Sequence, residues 1–136
     1  MHRILALLMT LGAMMALMLI PTGSASAFGG EQLKCEIGPL PFTWGVNCFP
    51  NRITNPDDIV FQVFNESGSG YSFSWTLEGR YTLVRGCASN TDYCEVTTFV
   101  SSDHDIIATV VASQNGSSET LSSTAHVYAV CGRNWC

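Results

Sequence analysis

From residue 71 the chain alternates strictly between apolar and polar positions. Tyr71, Phe73, Trp75 and Leu77 fall on one side, and Ser72, Ser74 and Thr76 on the other. A period of two is that of a strand with one buried and one wet face, so residues 71–77 are expected to form a strand with Trp75 in the core. Upstream, Ile59-Val60-Phe61-Gln62-Val63-Phe64 predicts a second strand, and the polar run 65–70, with Gly68 and Gly70, predicts the turn between them. Downstream, Glu78-Gly79 turns the chain into residues 81–84, then comes a loop bounded by Cys87 and Cys94, then a Val- and Thr-rich run over 95–100. Residues 106–112 are almost unbroken β-branched and small apolar side chains, as expected of a strand in the middle of a sheet. Gln114-Asn115-Gly116-Ser117 supplies a turn in which Gly116 is free to take positive φ. Alternation returns over 121–130, with Leu121, Ala125, Val127 and Ala129 on one face and Thr124, His126 and Tyr128 on the other.

The segment 35–52 holds Pro39, Pro41 and Pro50. Proline cannot serve a central ladder, so one or two short edge strands are expected there. Beyond residue 27 no stretch carries a helical period. About seven short strands separated by turn signals predict an all-β antiparallel sandwich or barrel. Its parts are an N-terminal segment over 28–54 and a main body over 55–136.

The first 27 residues follow a different rule. Met1-His2-Arg3 leads into an apolar run over 4–20, followed by Pro21, Gly23 and the small residues Ala25-Ser26-Ala27. That order predicts a secretory signal peptide over 1–27, cleaved before Phe28. The alternative is an uncleaved anchor, for which an apolar run of this length lies near the lower limit. After cleavage 109 residues remain, the size of one domain.

Charge narrows the partners. Residues 28–136 carry eleven acids against five cations, a formal charge of −6, and Lys34 is the only lysine. Nucleic acid and anionic membrane surfaces need clustered Lys and Arg, so neither is expected as a partner. Charged side chains make up 12% of the chain, about half the usual share, and the surface must be built from Ser, Thr, Asn and Gly instead. No cofactor is expected, and the chain is read as a monomer.

All six cysteines, Cys35, Cys48, Cys87, Cys94, Cys131 and Cys136, follow the leader. An even count in a small exported chain predicts three disulfides. Structural zinc and thioredoxin-like redox chemistry both call for closer cysteine spacing than this chain has. Fifteen pairings are possible. The expected map is local: Cys87–Cys94, Cys35–Cys48 and Cys131–Cys136. A rival ties the first segment to the last strand through Cys48–Cys131 and Cys35–Cys136; a longer loop favours it by entropy, and chain proximity favours the local map.

The strand containing Trp75, followed later by Asp105-Ile-Ile-Ala-Thr-Val-Val-Ala-Ser-Gln-Asn-Gly, resembles immunoglobulin-like domains of the bacterial and polycystic-kidney-disease type. The resemblance spans about residues 55–130 and implies an immunoglobulin-like antiparallel β-sandwich of about seven strands, stapled here by three disulfides. It implies that the tryptophan packs between the sheets and that the later strand turns at Asn115-Gly116 into the last one. Residues 105–112 hold no cysteine, so the inter-sheet disulfide of antibody domains is absent, and the tyrosine of the usual corner is missing. The layout of cysteine pairs before, inside and after the sandwich resembles small exported proteins of actinobacteria, which implies a fold and an address but no activity.

Candidate chemistry is sparse. Asp103-His104-Asp105 is the one cluster with acid, base or metal-binding potential, but on a strand the carboxylates point one way and His104 the other. It is expected to be an acidic turn, and His126 a surface residue on the polar face of the last strand. No serine sits in a nucleophile setting, and Asp57-Asp58 lacks the ligand spacing of a calcium loop. No catalytic or metal-binding residue is therefore assigned. Asn65-Glu66-Ser67 and Asn115-Gly116-Ser117 fit the N-glycosylation pattern.

Two loops remain as candidate recognition surfaces. The ring from Cys87 to Cys94 is expected to carry Asn90, Asp92 and Tyr93 near its tip, and the C-terminal ring to display Arg133 and Trp135. Tyr, Trp and Arg are common binding anchors, and a closed ring lowers the cost of ordering. The expected function is a secreted, non-enzymatic binding module for a protein or a cell-wall glycan. The alternatives are a secreted hydrolase inhibitor presenting the Cys87–Cys94 ring and a structural or toxin-like surface protein.

Overall fold

A computed structural model describes residues 28–38 and 43–136. The leader expected over 1–27, and Pro39 and Pro41, lie outside the described residues.

Ten strands and no helix occur among the described residues: β1 (Gln32–Ile37), β2 (Asn47–Cys48), β3 (Asp57–Phe64), β4 (Ser72–Glu78), β5 (Thr82–Gly86), β6 (Tyr93–Thr98), β7 (His104–Gln114), β8 (Ser117–Val127), β9 (Val130–Cys131) and β10 (Asn134–Trp135). Eight of them form two four-stranded sheets, ordered β1-β3-β6-β5 and β2-β8-β7-β4, while β9 and β10 make a small hairpin. Every pairing is antiparallel except β2 with β8. The N-terminal segment thus supplies an edge strand to each sheet.

The core lies where the inward positions of the two sheets meet. Leu33, Ile37, Ile59, Phe61 and Val96 come from one sheet, and Ile106, Val110, Ala125 and Val127 from the other, all buried in one cluster. Burying each of these Leu, Ile, Val and Phe side chains stabilises by about 1.5–3 kcal/mol. Branched side chains at alternate positions of β3 and β7 suit a pleated surface buried on one face. Asn115 (φ 52°) and Gly116 (φ 82°) form the β7–β8 turn with the positive dihedrals that a two-residue hairpin of this twist requires.

Three strands differ from the sequence expectation. β6 begins and ends two residues earlier than the run 95–100. The last long strand stops at Val127, because Ala129 N–H turns to the Asp103 carboxylate (2.7 Å) and Val130 N–H to the Val100 carbonyl (2.9 Å), leaving β9 separate. β5 pairs Leu83 with Val96 and Arg85 with Glu95, so Val84 is an unmatched residue in the strand.

Trp75 is also placed differently. It shares the inward face of β4 with the buried Phe73 and pairs with Val110 on β7, yet it is only partly buried against the core. β4 is the edge of its sheet, so part of the indole lies at the open side of the sandwich.

The cysteines pair locally, as Cys35–Cys48, Cys87–Cys94 and Cys131–Cys136, with Cα separations of 5.7, 4.4 and 5.3 Å. Cys35–Cys48 joins β1 to β2 and so bridges the two sheets along one edge. There the chain changes sheets, with Gly45 bridging to Cys35 before β2 joins β8.

Candidate functional site

The ring closed by Cys87–Cys94 connects β5 to β6. It bends at Ala88, whose carbonyl accepts from Thr91 N–H (3.1 Å) and whose N–H donates to Thr91 Oγ1 (2.9 Å). Three of its carbonyls accept from the body of the protein. Ser89 accepts from Phe73 N–H (2.9 Å), Thr91 accepts from the indole Nε1–H of Trp75 (3.1 Å), and Asp92 accepts from Val63 N–H (2.8 Å). The ring therefore covers the side of Trp75 that the sheets leave open and satisfies the indole donor, which would be costly to leave unpaired.

Of the three residues expected at its tip, only Asn90 is exposed. Asp92 is half-buried, with an oxygen 3.4 Å from Gln62 Nε2. Tyr93 begins β6 and lies beneath the Arg85 guanidinium, 5.8 Å from the ring centroid. Gly86 has φ 77°, and a Cβ there would collide with the Tyr93 carbonyl and ring, so this corner requires glycine.

The C-terminal ring has the opposite character. Residues 131–136 are all exposed, and the ring is tied to the body by Cys136 N–H donating to the Ala129 carbonyl (2.9 Å). Trp135 meets Tyr128 edge-on at 5.9 Å between centroids. Tyr128 continues to Phe49 at 6.2 Å, and Phe49 stacks on His126 at 4.7 Å. The four rings make a continuous row in which Phe49, Tyr128 and Trp135 are 53%, 40% and 38% exposed. Arg133 is exposed in the turn of the same ring. Sequence reasoning assigned Trp135 to a recognition surface but not Phe49 or Tyr128, and it read His126 as a surface residue. The outward parity of Thr124, His126 and Tyr128 was a usable signal; Phe49 joins only through the pairing of β2 with β8.

The histidine cluster separates into three structural contacts. Asp103 accepts from Ala129 N–H. His104 Nδ1 lies 2.8 Å from the Ser102 carbonyl, and its Nε2 3.1 Å from Thr98 Oγ1. Asp105 pairs with His126 Nδ1 at 2.8 Å. Among the described residues no group of three or more His, Cys, Asp or Glu side chains is placed to hold a metal ion.

Three buried carboxylates are shifted from their ordinary range. The Glu31 carboxyl is lowered to about 2, first by the hydrogen bond from Tyr71 Oη and then by the Gly29 and Gly30 N–H donors at 2.8 and 2.9 Å. Glu36 is pushed up to about 7 by burial, and its Oε2 has no hydrogen-bond partner. Asp57 is raised by burial against the opposing bond from Thr54 Oγ1. They lie apart from the aromatic row in sequence and are buried within the fold. A separate cavity of about 270 Å³ opens at the start of β5 between Pro56, Arg80, Tyr81 and Phe99.

Comparison with protein-family models, curated proteins and solved structures finds no match to this chain. Three disulfides point to an oxidising compartment. Among the described residues no helix is long and apolar enough to cross a membrane.

Proposed function

We propose that the chain is an exported, non-enzymatic, immunoglobulin-like binding module whose contact surface is the row Phe49, His126, Tyr128 and Trp135. The observation that carries this reading is the row itself: three aromatic rings held in successive contact while more than a third of each stays exposed. Exposed large aromatics are costly in solvent and are the side chains most enriched where proteins contact partners. A disulfide ring that fixes Trp135 beside Tyr128 reduces the entropy lost on binding.

The strand order supports the immunoglobulin-like part of the reading. In chain order, apart from β2, the seven long strands fall as the first, second, fifth and fourth on one sheet and the third, sixth and seventh on the other. That is the arrangement of a constant-type immunoglobulin domain, whose third strand carries the core tryptophan, as β4 carries Trp75 here. Export is supported by the leader pattern over 1–27 together with the disulfides. An inhibitor loop would have to be extended and free, and the inward carbonyls of Ser89, Thr91 and Asp92 favour the C-terminal ring over the Cys87–Cys94 ring as the presenting element.

The test is affinity capture from secreted proteins and cell-wall polymers, using the wild type, Trp135→Ala and Asn90→Ala. The Trp135 variant is expected to lose capture and the Asn90 variant to retain it. Loss confined to Asn90→Ala would overturn the assignment in favour of the other ring.

A further inference from the structure

The outward face of the β2-β8-β7-β4 sheet is rich in hydroxyls. Ser74 and Thr76 face outward on β4, Thr109 on β7, and Ser122 and Thr124 on β8, with the half-buried Ile107 and Val111 of β7 between them. Its charges stand at the margins, with Glu78 ending β4 and Asp105 near the start of β7, where it is paired with His126. The outward face of the other sheet instead carries Lys34, Arg85 and Glu95. In a chain whose residues 28–136 sum to −6, this face is close to neutral. The aromatic row borders it directly, because His126 is the next outward residue after Thr124 on β8.

Resting on the reading of the row as the contact surface, we infer that its ligand is a neutral polysaccharide. One sugar would stack on the exposed rings while its neighbours lie over the hydroxyl face. A pyranose presents an apolar C–H face that packs on an aromatic ring, and equatorial hydroxyls that donate and accept at its rim. Ser and Thr hydroxyls likewise donate and accept, so they match such a rim without a fixed polarity. An anionic polymer would approach against the net negative charge, whereas a neutral one meets no such field. A protein hot spot sits inside an apolar patch surrounded by a polar rim. Here the rings instead follow one another in a chain of contacts, with successive centroids 4.7, 6.2 and 5.9 Å apart, beside a hydroxyl-rich sheet face.

The experiment expresses the full chain and measures retention of the purified protein on insoluble cellulose, chitin and β-1,3-glucan, with alginate as the anionic control. A parallel arm captures proteins from a secreted fraction. The proteins compared are the wild type, Trp135→Ala, and the double variant Phe49→Ala/Trp135→Ala, each checked for an unchanged melting transition. The inference expects retention on at least one neutral polymer that is insensitive to salt, falls at least tenfold in Trp135→Ala and disappears in the double variant. Retention only on alginate, no retention, or retention that survives the double substitution overturns it. If the polymers retain nothing but protein capture is lost in the double variant, the row stands as the contact surface and the glycan assignment fails. If the double variant changes neither retention nor capture, both fail.

Discussion

The chain closes two small cystine rings, Cys87–Cys94 and Cys131–Cys136, that look alike in sequence and behave oppositely in the fold. The first turns its carbonyls inward onto Phe73, Trp75 and Val63; the second holds its side chains outward, and all six of its residues are exposed. Ring closure alone does not distinguish them. By loop entropy each is worth about 2–2.5 kcal/mol. What separates them is whether the closed segment belongs to the cooperative unit: a staple contributes to global stability only where its segment unfolds together with the core.

The largest expected effect follows from that difference. Opening the first ring in Cys87→Ser/Cys94→Ser should lower unfolding free energy by about 3 kcal/mol, because the ring entropy and the cover over Trp75 are lost together. Opening the second in Cys131→Ser/Cys136→Ser should cost under about 1 kcal/mol, because that hairpin can fray while the sheets stay folded. Denaturant titration of the two double variants measures both, and equal losses would break the comparison.

Next in size is a pair of tryptophan substitutions. Trp75→Ala removes a partly buried indole and its bond to Thr91, so a loss of about 2–3 kcal/mol is expected, somewhat below that for a fully buried ring. Trp135→Ala should stay within about 0.5 kcal/mol of wild type by thermal melting.

The third ring, Cys35–Cys48, joins the sheets, and its neighbour Glu36 adds a pH-dependent test. Burial raises the folded pKa of Glu36 to about 7, above its unfolded value, so the folded protein holds a proton that the unfolded chain releases. Stability therefore falls as pH rises from about 4.5 to 7. Glu36→Gln should match wild type near pH 4 and exceed it by about 2 kcal/mol above pH 8. A smaller pH effect has the reverse sign. Tyr71 holds the Glu31 pKa down to about 2, so the contribution is present above about pH 4.5 and is lost as pH falls toward 2. Tyr71→Phe should cost about 1 kcal/mol at pH 6, with the gap from wild type closing as pH falls. Unfolding curves across pH, read beside the ring variants, would separate sheet effects from ring effects.

β4 was legible because its inward positions repeat every second residue, as in Phe73, Trp75 and Leu77, and β7 because its apolar run is almost unbroken. The burial of Trp75 was not, because alternation assigns a face without saying whether the opposite sheet reaches that far. Ring size and membership can be read from cysteine spacing. The direction in which Ser89 and Thr91 aim their carbonyls depends on β4, more than ten residues earlier in the chain. Phe49 escaped notice for the same reason, since only the contact of β2 with β8 brings it to His126 and Tyr128.

The unmatched Val84 has its own consequence for how copies of this chain meet at high concentration. β5 is the outer strand of its sheet, and Leu83 and Val84 are about half exposed, which would suit strand-by-strand growth into a larger assembly. An incoming strand needs evenly spaced donors and acceptors, and the extra residue shifts that spacing partway along a strand only five residues long. The irregularity thus leaves two apolar side chains at the surface while denying a neighbouring copy a regular ladder on which to extend the sheet.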